Sequence, residues 1–582
     1  MLDTRVYRAA FAPAVLALVL MAFSLIDRPR PLQTTLAPDA FSGERAFQRL
    51  GELAREYPER RPGSAGDEAL AADLAGTMRG AGLTVSVDRA SGSTIDGKRT
   101  LTTVSGTRTG RPGPGIVVVA HRDAAGSGAE AELSGTAALE ELVRVFAGRS
   151  VKRSLTLVST SGGSGGAAGA EAVARRLRGS RVDAVIVLGD LASATIRKPW
   201  VQPWSDGPRL APMRLRRTVE AALRAETGQD PGGQRATRQL ARLAFPFALG
   251  EEGRFNAAGL PAVTISASGE RGPSAGAPVS ADHLRVFGRA TLRTITALDN
   301  GPSLRAGPGP EVTTQRKVLP GWSVRLFVGA LLLPVLLAAI DGLARVRRRH
   351  EPVGVWVRWL AALVAPFALA AFVARMLGAG GAVDAPGAAL AGTALGVNVG
   401  ALAGVGAAFV VGAGLVRPLR WIMGVRGAPD GSGPVAAVGV TMALLALVTW
   451  IVNPYAALLV VVPAHLWLLA PESRLRRVPA VLIALLGLLP IAGVLAVYSG
   501  ALGLAIGDLP WSLVLLVAGG GVGALSLLGI CVFGACGVAA LRLAGREREE
   551  DVVLPPGTLL RGPIGHVGQG TIGGTQSGLR VR

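Results

Sequence analysis

Gly115-Ile116-Val117-Val118-Val119-Ala120, followed by His121-Arg122-Asp123, is the stretch on which the fold turns. An unbroken apolar run of this length, rich in β-branched residues, reads as a strand buried on both faces. Working outward, the pattern alternates. Residues 45–56 read as an amphipathic helix with Phe47, Leu50, Leu53 and Ala54 on one face, and 66–81 as a second with Ala69, Leu70, Leu74 and Met78 together. Thr84-Val85-Ser86-Val87 reads as a short strand. A helix is expected over 134–146, a strand over 154–159, a loop at 162–169, a helix through 182 and a strand over 183–188 ending near Asp190. Strands alternating with helices imply an α/β domain with a mostly parallel sheet. Sites in such sheets form at the C-terminal ends of strands, and His121, the 162–169 loop and Asp190 all fall there.

The rest of the chain belongs to a different solvent. The 582 residues are 49% hydrophobic, with a mean hydropathy of +0.41. That is too apolar for a purely soluble or a disordered protein. Two cysteines exclude a disulfide scaffold and a Cys-rich zinc site. Runs long enough to cross a bilayer are read at 9–26, 323–344, 353–374, 388–416, 434–452, 455–471, 478–499 and 511–541, the last with a Gly-rich centre at Gly519 to Gly523. The net charge of +21 concentrates in alternate connections. Arg5 and Arg8, Arg345 to Arg349, Arg417 to Arg426, Arg474 to Arg477 and Arg542 to Arg548 carry it, while 379–387, 453–454 and 500–510 hold no Lys or Arg. Excess Lys and Arg mark cytoplasmic loops. Both termini are therefore expected in the cytoplasm and 27–320 outside, with Arg375 the one basic residue on the wrong side. No small-x-small cleavage site follows the first span, so an uncleaved anchor is expected.

Four units follow: 1–26 a stub and anchor, 27–320 the extracytoplasmic α/β domain, 321–545 a polytopic bundle, and 546–582 a loose cytoplasmic tail. His465, Asn398 and Asp341 are the polar residues read within spans, with Arg358 near a span end. No acidic residue accompanies His465 at mid-span, so a proton or ion relay lacks parts. The charge distribution points to the lipid bilayer as partner and away from nucleic acid. The bias to Ala, Gly and Arg with little Lys points to a GC-rich bacterial genome and hence a bacterial plasma membrane.

The ordered landmarks of 45–300 resemble the clan MH di-zinc exopeptidases, an aminopeptidase-like family. Arg60-Arg61-Pro62-Gly63-Ser64 with Ala81-Gly82-Leu83 is similar to that family's opening segment. Ala120-His121-Arg122-Asp123 resembles its H-x-D strand end. Gly128 to Gly135 with Leu139-Glu140-Glu141-Leu142 resembles its G-A-x-D-D-x-S-G stretch and following helix. Phe255 with Gly259-Leu260-Pro261-Ala262-Val263 resembles its F…G-I-P-A-V segment. The polytopic branch of the family combines such a domain with a multi-span tail. It includes an active metallopeptidase and non-catalytic members that act in membrane-protein assembly.

The resemblance implies five metal ligands and a glutamate base acting on a zinc-bridging water. His121 matches the first ligand, Asp123 the residue that would orient its imidazole, and Asp190 a later acidic ligand. The bridging aspartate's position is Ala131, with Glu132 beside it. The base and its neighbouring ligand are replaced by Gly163 and Ser164, and the final histidine is absent from 269–273. His121 and Asp190 remain as remnant metal ligands, too few for two zinc ions. The expectation is a catalytically inactive, peptidase-like protein that binds a peptide or protein partner, with no cofactor. The alternative is a zinc-dependent aminopeptidase with shifted ligands, in which two or more of Glu130, Glu132, Glu251 and Glu252 converge on His121 and Asp190. Ser161 to Gly166 lacks the following G-K-[ST] of a phosphate loop, and no nucleophile elbow with suitable partners exists.

Overall fold

The computed structural model describes residues 4–127, 129–195, 198–231, 234–304, 309–314, 316–384, 396–429, 431–471 and 477–546. Gly128, Arg474, Arg476 and the tail beyond 546, all named above, lie outside the described residues.

Strand β1 (Ile26–Asp27) follows the N-terminal helix Thr4–Phe23. The α/β domain then supplies β2 (Thr84–Thr94), β3 (Gly97–Arg108), β4 (Arg111–His121), β5 (Arg153–Thr160), β6 (Val182–Leu188), β7 (Trp200–Gln202) and β8 (Ala262–Ser266). Strands β9 (Val312–Thr313) and β10 (Lys317–Leu319) precede the bundle. β2 to β8 form one sheet in the order β2-β3-β5-β4-β6-β8-β7. β4 pairs in parallel with β5 and β6, and β6 with β8. β2–β3, β3–β5 and β7–β8 are antiparallel. The sheet is thus mixed, where a mostly parallel one was expected. The difference is the hairpin β2–β3, of which only the first four residues were anticipated. Its turn is Ile95-Asp96, closed by Gly97 at φ +81°, a conformation that glycine supplies without strain.

The central strand behaves as its composition demands. Ile116, Val118 and Ala120 enter one core, with Leu50, Leu53, Leu70, Leu74 and Met78. Val117 and Val119 enter a second, with Val173 and Phe255. Alternate residues of a strand face opposite sides, so helices cover both faces of β4. The helix expected through 182 stops at Arg176, and a turn through Ser180 leads into β6.

Among the described residues, five helices are long and apolar enough to cross a membrane: Gly321–Arg348, Val353–Ala379, Val399–Ile422, Ser432–Val452 and Ala524–Ala544. The pair Arg477–Leu486 and Leu489–Leu502, bent by 40°, makes a sixth if counted as one broken span. Eight were expected. Arg8–Phe23 and Pro454–Leu469 are apolar but shorter; a 16-residue helix reaches about 24 Å against a ~30 Å hydrocarbon core. The run 511–541 divides into Leu509–Ala518 and Ala524–Ala544 at its glycines. Arg375 donates to the carbonyl of Val522 in that break, which gives the misplaced cation its partner. Asn398, read as lying within a span, is the N-cap of Val399–Ile422, its side chain accepting from Ala401 N at 2.9 Å. His465 Nδ1 lies 2.8 Å from Val461 O, one turn back on its own helix.

The α/β domain and the arginine-rich helix ends lie at opposite ends of the bundle. Arg358 bonds Met423 O at 2.7 Å, and Ser432 bonds Glu351 Oε1 at 2.8 Å, gathering the basic connections. At the other end Asn453 donates to Leu243 O and Tyr455 to Pro310 O, both at 2.8 Å. β1 pairs with β10, and β10 with β9, so the chain enters and leaves the α/β domain side by side.

Candidate functional site

The alternation of β4 continues past its end and sorts the three residues His121, Arg122 and Asp123. Arg122 shares the parity of Ala120 and turns into the first core. It is fully buried, 2.8 Å from Asp67 Oδ1, and donates to Thr102 O at 2.8 Å. Asp67 in turn accepts from Gly63 N at 2.9 Å and Ser161 Oγ at 2.6 Å. Burial raises the Asp67 carboxyl to about 6, against the lowering effect of Arg122. This hub fastens helix Ala65–Gly80 and the start of the 162–169 loop to the end of the sheet.

His121 and Asp123 turn the other way. Asp123 accepts from Gly163 N at 2.9 Å and Ser164 N at 3.0 Å, and from Ser164 Oγ. It therefore pins the glycine-rich loop. The His121 ring faces Glu251: Nδ1 lies 4.0 Å from Glu251 Oε2. The carboxylate that the ring faces is thus Glu251, which the resemblance did not single out as its neighbour. Sequence spacing gave no warning, because Glu251 arrives from the start of the short helix Glu252–Ala257. Its other oxygen accepts from Thr160 Oγ1, at the end of β5, at 2.6 Å.

Glu132 stands on the short 3₁₀ turn Glu130–Leu133 near His121, Asp123 and Arg60. Burial raises its carboxyl to about 7, with His121 opposing and Asp123 adding to the rise. Glu251 is raised by complete burial, with His121 again opposing. Glu132 Oε2 and Glu251 Oε2 are buried without a hydrogen-bond partner. Ala131, at the bridging position, is buried and presents its carbonyl to Ser134 Oγ.

Asp190 lies two residues past β6. Its Oδ1 accepts from Ala192 N and Ser193 N, each at 2.9 Å, and from Ser134 Oγ at 3.3 Å. It is occupied in closing the β6 loop, and its carboxyl is raised by burial. Glu252 turns away from His121 and accepts from Thr264 Oγ1. His283 sits in the first turn of helix Ala281–Asn300, with Nδ1 2.7 Å from Ser193 O.

Gly163 decides what the site can hold. A Cβ there would collide with Cβ and Cγ of His121. The position that resemblance assigns to the general base thus has no room for a side chain while His121 keeps its place. Among the described residues, no three of His, Cys, Asp and Glu come together as a metal ligand set. The donors at hand do not fit a two-zinc centre, and no step is derived through one. What remains is an imidazole flanked by two buried carboxyl groups with free acceptor oxygens, an arrangement suited to a cation or a hydrogen-bond donor.

No family model and no curated protein matches the chain. Among solved structures it is similar to a zinc aminopeptidase from Bacillus subtilis, at 12% identity over 46% of this chain and 97% of that one, with a TM-score of 0.37. The LapA aminopeptidase of Legionella pneumophila aligns at 14% identity over 47% and 76%, TM-score 0.37. A glutaminyl cyclase of Porphyromonas gingivalis aligns at 17% identity over 44% and 99%, TM-score 0.33.

Proposed function

We propose that this is a membrane-anchored, peptidase-like protein that binds a peptide or protein partner without hydrolysing it. In this reading 27–320 lies at the outer face of a bacterial plasma membrane, both termini are cytoplasmic, and the partner is held for membrane-protein assembly. The observation that carries the reading is Gly163 packed against the His121 ring. It leaves no room for a base beside a nucleophilic water. The separation of the α/β domain from the arginine-rich ends supports the orientation. The free oxygens of Glu132 and Glu251 support a cationic ligand, of which a peptide amino terminus is the natural case. Because Glu132 ionises only near pH 7 and a peptide amine loses its proton at about pH 8, binding should be tightest between those two values and weaken on either side.

The test uses the full chain in detergent. Zinc content, turnover of an aminoacyl anilide, and binding of one peptide with a free or an acetylated amino terminus are measured, with His121→Ala and Glu251→Gln as controls. The expected result is no His121-dependent turnover, and preference for the free amine that Glu251→Gln abolishes. Equal binding of both peptides overturns the reading. A second reading, a zinc aminopeptidase with shifted ligands, is favoured by the approach of Glu132 and Glu251 to His121. Near-stoichiometric zinc with turnover lost in His121→Ala would establish it.

Restoring the missing base should not restore catalysis. Gly163→Glu is expected to displace the His121 ring and destabilise the domain by about 1–3 kcal/mol, the usual scale for overpacking. Thermal unfolding and the same turnover assay check both halves of this expectation.

A further inference from the structure

We propose that residues 267–279 form a strap over the sheet-end site around His121, latched to the helix bundle, so that the bundle sets access to that site. The segment leaves β8 beside Asp190, where Ala267 N donates to Asp190 O at 2.7 Å. It returns at the β6 loop: Ala194 N donates to Pro278 O and Ser280 N to Ala192 O, both at 2.7 Å, and Ser193 bridges Val279. Its crown reaches the opposite wall. A Cβ built at Gly126, between Asp123 and Glu132, would stand 3.2 Å from Ala275 Cβ. The strap therefore runs from the Asp190 side to the loop that follows His121.

Beyond Glu270 the crown has no buried anchor. Arg271, Gly272, Ser274, Ala275 and Gly276 are exposed. Segments with few buried apolar contacts open at low cost, so the latch must set where the crown rests. Glu270 and Arg242 form an ion pair whose side chains are 4% and 2% exposed. The Arg242 guanidinium lies 5.7 Å from the Trp204 ring and 4.6 Å from the Tyr498 ring, cation–π distances in a buried setting. Tyr498 belongs to helix Leu489–Leu502 of the bundle, and its hydroxyl donates to Phe245 O. Arg271 Nη1 donates to the carbonyls of Leu502 at 3.5 Å and Gly503 at 3.2 Å. Both residues that begin the crown are thus fastened to the end of one helix. That helix is the second limb of the span bent by 40°, and Pro490 stands in its first turn, just past the bend.

The test is a cross-link in the full chain, with Cys531→Ala and Cys536→Ala as background. Gly126→Cys and Ala275→Cys place two thiols within disulfide reach after a shift of a few tenths of an ångström. Rapid disulfide formation is expected in the otherwise unaltered chain. Arg271→Ala, at an exposed position, and Tyr498→Leu, which removes the ring beneath Arg242, should each slow it by about tenfold as the local concentration of the two thiols falls. Absence of the disulfide in the parent would show that the crown does not lie over the site. An unchanged rate in both latch variants would show that the bundle does not hold it. No ligand is used, so failure here is distinct from failure of the binding reading.

Discussion

Replacing Arg122 by Met is expected to destabilise the α/β domain by about 3–5 kcal/mol, the cost of leaving a buried charge without its partner. Arg122 and Asp67 are both fully buried. Removing the guanidinium leaves Asp67 in a place where burial already raises its carboxyl to about 6, so Asp67 should take up a proton and the loss should deepen as pH rises. The backbone carbonyl of Thr102 also loses its donor. The double variant with Asp67→Asn should recover part of the loss, because exchanging both members of a buried pair costs less than removing one. Unfolding of the full chain in detergent, followed by tryptophan fluorescence, reads both. Equal stability of the single variant and the parent would refute the role given to this hub.

Glu252→Gln is expected to act in the opposite sense. Glu252 is buried, and desolvation first, with Glu270 and Asp206 adding, raises its carboxyl from 4.5 to about 8. Between those values the folded chain holds a proton that the unfolded chain has released. Stability from this group is therefore complete below pH 4.5 and is lost as pH rises through about 8. At ~1.4 kcal/mol per pH unit the loss reaches a few kcal/mol. Glutamine keeps the shape and carries no charge. The variant should match the parent at pH 5 and exceed it in melting temperature at pH 9. Parallel melting curves for the two proteins across that range would show that Glu252 stays ionised.

Much of this architecture is legible in the sequence because it rests on periodicity. The run 115–120 could only be a two-sided strand, and the parity of a strand then determines that Arg122 parts from its neighbours. The hairpin β2–β3 was less legible, since Ser, Thr and Arg dominate both strands and few apolar residues mark their inner face. Asp96-Gly97 was the available signal. In the bundle, glycines at 519–523 divide one apolar run into two helices, which hydropathy alone averages over.

The candidate site was legible in part. His121, Asp123 and Asp190 stand at strand ends as the spacing implied, yet their partners come from elsewhere. Glu251 lies 130 positions along the chain from His121, and its approach depends on how the helix Glu252–Ala257 meets β5. No local pattern encodes that. The absence of a side chain at 163 was visible, but its consequence, a ring occupying the same space, belongs to the folded chain alone.

The pairing of β1 with β10 gathers both ends of the α/β domain into one small sheet beside the helix bundle. A domain held by two stalks cannot be shed by one cut. A protease that nicks an exposed loop between those strands leaves two fragments, one joined to the helix Thr4–Phe23 and the other to the helix Gly321–Arg348. The same double tether removes free rotation about a single stalk. The His121 site then keeps one bearing toward the helix bundle.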